Sequence, residues 1–516
     1  MKKAAAGLLL AGLLPSAQAF SLLGPFPGWQ TATIGYQLAS DLGGPMNIGE
    51  EYRFNFPTIT YAFDPSFLNY FGAKGVAEVE KAMAILNALP PFSLMSEDLH
   101  EFPLNTRRVN HQAAALYLYD LKSHVLGTML EQLGLAPAER YVWTLRSRVV
   151  INNVPYYSVI QRSFDPVTQV ASKYVNGVLY TYQILQTYPT PTWEAVSQAV
   201  DPTLPTVTSV SAYSMFGGTV MAPGATVNAS PGLFYTGLTR DDVGGLRYLY
   251  RRDNYNVSSA PPGAVRAPVR VMEGGSKILD EDSGTPWGPP PFGGTNTVGT
   301  NNLPLLSTAI RPGMDKLNFV RVDFDSLVGA WVTVTNRYTD IVITNGVRSE
   351  QVVDRVLAAP DILFTASDLG MAGTTPATDA RTVNFQNNAT LNGNPGQGEL
   401  AGPGTLVPGQ VITFSKLGQS LLNVGGGGEV DASLVSWWGS FDGTTNEPYV
   451  YPQGTSIAAI ERLVATRVSE GNNPWSAPPL FVVGVASGNT NFVQQGGTIG
   501  NNNTANTGNT TGGTTP

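Results

Sequence analysis

The stretch Gly237–Tyr250, GLTRDDVGGLRYLY, constrains the fold more than any other part of the chain. Thr239 followed three residues on by Asp242, just ahead of an apolar run, is a helix-start pattern. The hydroxyl accepts an early backbone N–H, and Asp241 and Asp242 lie at the positive end of the helix. Val243, Leu246 and Tyr250 recur at i, i+3 and i+7 and give one buried face. Gly244 and Gly245 each cost a helix about 1 kcal/mol relative to alanine. A helix that carries both is expected to have a neighbour pressed against its backbone.

The rest of the chain must supply that neighbour. With 516 residues it is too long for one core, so two or three domains are expected. Charged residues are 13% of the chain, about half the usual share, while Gly (56) and Pro (38) are abundant, which favours turn-rich β structure. A net charge of -8 without any basic run argues against nucleic-acid binding. Residues 1–19 read as a secretory signal: Lys2 and Lys3, the apolar Ala4–Leu14, then Ala17-Gln18-Ala19 as a small-residue cleavage site. The mature chain is then expected to begin at Phe20. No later apolar run is long enough to span a bilayer, so the expected location is secreted, periplasmic or cell-surface. The chain has no cysteine, so its stability is expected to rest on its cores instead of on disulfides; this and the style of the signal favour a bacterial source.

Periodicity places elements on either side of the glycine-bearing helix. Ile59, Tyr61 and Phe63 alternate as a strand, and a helix is expected over 74–89, ended by Pro90-Pro91. A second helix is read over 110–133 with Gly134 as its stop. Strands at 149–151 and 156–161 precede a hairpin turning at Asn176-Gly177, and Trp193–Val200 reads as a short helix. Residues 201–236 read as a long loop. Residues 20–255 are thus expected to form an α+β domain. A Pro/Gly-rich linker follows at 256–304. Beyond it, strands are expected at 317–324, 331–334, 341–343, 402–415, 433–441 and 480–485, with helices at 352–357 and 455–469. That series predicts a β-rich, β-sandwich domain over 305–487, and the Asn/Gly/Thr-rich tail 488–516 is expected to be disordered.

Three phrases resemble matrixin-type metalloproteases of the metzincin clan. Gly237–Tyr250 is similar to the family's final helix. The strand, turn and long helix at 59–89 is similar to the way these domains begin. His124-Val125-Leu126-Gly127-Thr128 lies on a helix, as the family's zinc motif HExxHxxGxxH does. The resemblance implies a fold in which three imidazoles hold zinc and a glutamate activates the water. Against that motif, Val125 stands for the glutamate, Thr128 for the second histidine and Gly134 for the third. The region of the family's Met-turn reads SPGLFYTGL, without methionine. The resemblance therefore implies a pseudo-metallopeptidase domain. The chain has 3 histidines, His100, His111 and His124. A zinc site of unusual composition would draw on His124, His111 and Glu131, although His111 and His124 fall on opposite sides of one straight helix.

Other chemistry is weighed on the same terms. Ser456 in GTSIAA resembles the nucleophile turn of subtilisin-type proteases, but Ile460 stands where that family has proline and no histidine follows His124. The simpler reading is a helix cap at Thr455 or Ser456. Asp280-Glu281-Asp282 could bind calcium or be a solvated acidic turn. Asp323 and Asp325, with Trp331, Trp437 and Trp438, could serve a sugar site, or the tryptophans could be core. The leading expectation is an exported, non-catalytic surface or extracellular binding or structural protein. Its partner would be an extracellular protein or polysaccharide; it would have no resident cofactor, zinc and calcium being the metals to test. The alternatives are a secreted metallopeptidase with an atypical zinc site, and a carbohydrate-binding or carbohydrate-cleaving protein.

Overall fold

The computed structural model describes residues 18–32, 42–187, 192–200, 231–267, 270–271, 277–278, 305–368, 379–386, 404–416, 437–453, 455–458, 460–461, 485–486 and 492–495. They form a mixed α+β structure. Three helices organise it: α1 (Pro65–Asn87), α2 (Leu121–Gln132) and α3 (Arg240–Tyr250).

Helix α1 starts where Asp64 accepts a hydrogen bond from the Phe67 N–H at 2.9 Å and Pro65 occupies the first turn. It is longer than the helix expected over 74–89, because a first helical segment precedes it across a break at Gly72 (φ 59, ψ -163). The periodic face that marks the second part, Val76, Val79, Met83 and Leu86, is buried as expected. Where one helix is expected over 110–133, the chain forms a short helix His111–Ala115, a strand Leu118–Asp120 and then α2. Asn110 and Asp120 each cap a helix start, through Ala113 N–H (2.7 Å) and Ser123 N–H (3.0 Å). Tyr117 at φ 60 breaks the path between them. The strand then forms because Trp437–Ser440 pairs with it in parallel, a partner that local helical spacing cannot reveal.

Two further helix expectations are corrected. Residues 193–199 lie in the strand Thr192–Ala199, antiparallel to Val178–Thr187. Val352–Leu357 is the end of the strand Val347–Leu357, paired along its length with Val334–Thr344. In both cases an adjacent hairpin partner fixes the extended form over a weak local preference. The start of the expected linker is also sheet: Asn256–Ser259 pairs with Thr308–Arg311, and Ala264–Arg266 pairs with Val347–Leu357. Within the expected tail, Phe492–Gln495 runs parallel to Val154–Ile160. The turns themselves match their sequences: Asn176 and Gly177 have φ 44 and 85, and Asn345 and Gly346 have φ 51 and 77. The region 433–436 and most of the helix read over 455–469 lie outside the described residues, as do Asp280–Asp282 and residues 480–484 of the last apolar strand.

The largest sheet draws on both sides of the 256–304 segment. Its order is Asn318–Arg321, Thr58–Phe63, Ile362–Asp368, Gly404–Lys416 and Asp379–Gln386, with Tyr52–Arg53 also pairing with Gly404–Lys416. Thr58–Phe63 is parallel to both of its neighbours, Ile362–Asp368 and Asn318–Arg321. It is buried along nearly its whole length, so it needs cover on both edges and both faces. Helix α1 lies over this sheet. Phe67 and Phe71 meet Phe414 at 5.9 and 5.8 Å between ring centroids, and Phe71 meets Tyr451 at 5.1 Å. One hydrophobic core thus runs from Phe20 to Ile460 in sequence, and a second lies under the strands 144–160 and 174–199 around Trp143, Tyr157 and Ile184.

Helix α3 behaves as its sequence demands. The Thr239 N–H donates to Asp242 at 2.7 Å and the Asp242 N–H donates back to the Thr239 hydroxyl at 3.4 Å. Val243, Leu246 and Tyr250 are buried. A Cβ on Gly244 would stand 2.6 Å from Pro166 Cβ, and one on Gly245 would stand 2.7 Å from Leu135 Cδ2 and 2.9 Å from Phe20 Cβ. The pressed neighbours are therefore the Pro166 loop, Leu135 and the strand Phe20–Gly24.

Candidate functional site

Helix α2 carries the residues that the matrixin resemblance singles out, and its surroundings decide what they can do. All of its residues, Leu121 through Gln132, are buried. His124 is 0% exposed, and its imidazole lies 5.0 Å from the Trp438 ring and 5.7 Å from Phe414. Trp438 is itself fixed: it is fully buried and its indole N–H donates to the Ser415 carbonyl at 2.7 Å. The strand carrying Trp438 pairs beside Leu118–Asp120, so the chain's later part closes over the start of α2.

The position that stands for a third zinc histidine is the helix terminator. Gly134 has φ 106, and a Cβ there would fall 2.2 Å from the Tyr52 carbonyl oxygen. Its own carbonyl accepts from Leu23 N–H at 2.8 Å. A side chain of any size is excluded by backbone conformation and by space. Thr128, in the place of the second histidine, is fully buried, and its hydroxyl has no hydrogen-bond partner among the described residues. One hydroxyl and one glycine cannot replace two imidazoles, so these positions do not fit a zinc ion of the family's kind.

The wider set of candidate ligands is not drawn together either. His111 is exposed at the first turn of the short helix His111–Ala115, whereas His124 is enclosed. Glu131 is 7% exposed and lies two turns beyond His124 on α2, about 10 Å along the axis, against about 6 Å for an i, i+4 ligand pair. Among the described residues, no group of three or more His, Cys, Asp or Glu side chains is placed to hold a metal ion. His100 stands in an exposed turn, where its Nδ1 lies 2.8 Å from Asp98 and that carboxylate raises its pKa.

Asp120, which sequence reading passed over, is the most perturbed acid beside His124. It is fully buried, it caps α2, and its carboxylate also receives the Ser123 hydroxyl. Burial pushes its pKa up to about 6, Lys122 and the Ser123 hydrogen bonds pull it down, and Glu78 adds to the rise. Ser123 Oγ accepts from the Tyr235 N–H at 2.8 Å while donating to Asp120. The hydroxyl thus donates to the cap of α2 and accepts from the strand Leu233–Tyr235, which ties the start of the helix to that strand. That strand lies against α2. The signal for Asp120 was present as Asp-Leu-Lys-Ser ahead of an apolar run, but the continuous helical spacing across 110–133 masked it.

The tryptophans divide by burial. Trp438 faces the core and offers no platform to a sugar. Trp331 stands edge-on to Phe324 at 5.1 Å, on the pair of short strands that also carries Asp325. Elsewhere, an open groove of about 660 Å³ is bounded by Trp143, Asp165, Lys173, Tyr180 and Val200. No helix among the described residues is long and apolar enough to cross a membrane. Comparison with family models, curated proteins and solved structures returns no match.

Proposed function

We propose that this chain is an exported bacterial protein, periplasmic, secreted or held at the cell surface, that binds a partner or builds structure and carries out no catalysis. In this reading its first half is a matrixin-like α+β unit without the zinc chemistry, and its later part adds a β-rich, sandwich-like unit. The enclosure of His124 by Phe414 and Trp438, on a helix buried at every residue, is the observation that supports it. A peptidase centre needs an open coordination position and a cleft that admits substrate. Here the corresponding helix is core. The binding half of the reading is supported by apolar side chains left in solvent at two hairpin tips. Val149, Val150 and Ile151 are 52%, 48% and 52% exposed, and Leu327 and Val328 are 97% and 73% exposed. The partner in this reading is an extracellular protein or polysaccharide.

A peptidase assay tests the non-catalytic claim. The chain from Phe20 onward is incubated with a mixed fluorogenic peptide library, with added zinc and with a chelator. No hydrolysis above the blank is expected under either condition. Zinc-dependent hydrolysis that the chelator abolishes would overturn the proposal.

A further inference from the structure

The hairpin at 324–332 carries two apolar side chains at its apex, both in solvent. Its short strands, Phe324–Asp325 and Ala330–Trp331, pair Phe324 with Trp331 and Asp325 with Ala330. One residue shapes the loop between them. Asp325 Oδ1 accepts the Leu327 N–H at 2.8 Å and the Val328 N–H at 3.2 Å, and the Asp325 carbonyl accepts the Gly329 N–H at 2.8 Å. Gly329, at φ 72, closes the turn. At the foot of the hairpin the Val332 N–H donates to the Asp323 carbonyl at 2.9 Å. The loop is therefore held from inside by Asp325, and Leu327 and Val328 are left outward, the first almost wholly exposed. Phe324 and Val332 are half-exposed, and Trp331 is partly exposed, edge-on to Phe324.

Charge is kept away from the apex. No charged residue occurs from Ser326 to Asn336. At the foot, Arg321 pairs with Glu80 at 2.8 Å and with Asp323 at 3.0 Å. The tip at Val149–Ile151 differs, because Asn152 and Asn153 stand at its turn, so polar side chains lead there.

Size and shape choose the occupant. At roughly 100 Å² for a fully exposed apolar side chain, these five residues offer well under about 500 Å². A stable protein interface or dimer needs about 800 Å² from each partner. The tip is also convex, so a flat or second convex surface would touch only its apex. Fluid acyl chains close around a small apolar projection from every side.

We propose that this tip dips into the interface of a lipid bilayer, with Leu327 and Val328 among the acyl chains and Trp331 at the level of the headgroups. The contact holds the molecule on the membrane without spanning it, weakly and reversibly, as a single small apolar anchor does. With no basic residue at the apex, it needs no anionic lipid. Insertion requires neither export nor a lack of catalysis, so its failure would leave the proposed function standing.

The test mixes the chain from Phe20 onward, which lacks the apolar Ala4–Leu14 run, with phosphatidylcholine vesicles and measures the fraction that floats with them. Leu327→Ser combined with Val328→Ser is expected to lower partition at least about tenfold. Both side chains lie in solvent, so the thermal unfolding of this variant should match that of the unaltered chain. Val150→Ser, which removes an exposed valine from the other tip, is expected to leave partition unchanged. Trp331→Phe is expected to retain partition but to lose a blue shift of tryptophan emission that the vesicles cause. An unaltered chain that does not float, or flotation that survives the double serine change, would overturn the proposal. Flotation that appears only with added anionic phosphatidylglycerol and vanishes at high salt would overturn it too. So would a dimer in sedimentation that the double change dissolves, because a second copy would then cover the tip.

Discussion

His124, Asp120 and Gly134 show how three residues of one helix region are committed to structure. The His124 ring fills the space between Phe414 and Trp438, so His124→Ala leaves a cavity among aromatic rings and is expected to cost about 2–4 kcal/mol in denaturant unfolding. His124→Phe should retain most of that stability, since the site asks for a ring. A loss with phenylalanine as large as with alanine would show that the imidazole is needed for its polarity. Gly134→Ala adds a Cβ at 2.2 Å from the Tyr52 carbonyl in a backbone conformation of φ 106, and is expected to destabilise by more than about 2 kcal/mol. Asp120 makes the pH prediction. Its folded pKa, about 6, lies above its value in an unfolded chain. The stability it contributes is therefore complete below about pH 4 and is lost as pH rises through about 6, a span of about 3 kcal/mol. Asp120→Asn keeps a capping oxygen and cannot ionise. Its stability relative to the unaltered chain should rise between pH 4 and pH 7; a difference that stays flat with pH would contradict this account of Asp120.

At the scale of elements, pairing partners decide more than local pattern. The strand Thr58–Phe63 takes Asn318–Arg321 on one edge and Ile362–Asp368 on the other. A fragment of residues 20–255 alone would leave both edges of a buried apolar strand bare. It is expected to aggregate or remain without fixed tertiary structure, as judged by near-ultraviolet circular dichroism. A monomeric fragment with native-like signals would show that the early elements fold without their later partners. Helix α3 was legible from Thr239, Asp242 and the two glycines because caps and close approach are local requirements. The hairpins at Asn176-Gly177 and Asn345-Gly346 were legible for the same reason. The strand Leu118–Asp120 was not, since its cause is Trp437–Ser440, more than three hundred residues away in sequence. The same distance hid the cover over His124: spacing shows that the histidine lacks the partners a zinc motif needs, but not that Trp438 packs against its ring.

Across the whole molecule, the described parts of both halves contribute to one core, from Phe20 through Phe364 and Phe414 to Tyr451. Thermal unfolding of these parts should be coupled, so that His124→Ala in the early half lowers the temperature at which the strand Gly404–Lys416 loses hydrogen-exchange protection. Protection of that strand unaffected by the variant would mean two independent units. The central claim is that α2, where a zinc centre would be expected by resemblance, is closed structure. The most direct test is the metal content of the purified chain from Phe20 onward, read by elemental mass spectrometry after incubation with zinc and removal of the free ion. The account predicts far less than one zinc per chain, and no change in what is retained when His124 is replaced by phenylalanine. One zinc per chain, lost with that replacement, would contradict it.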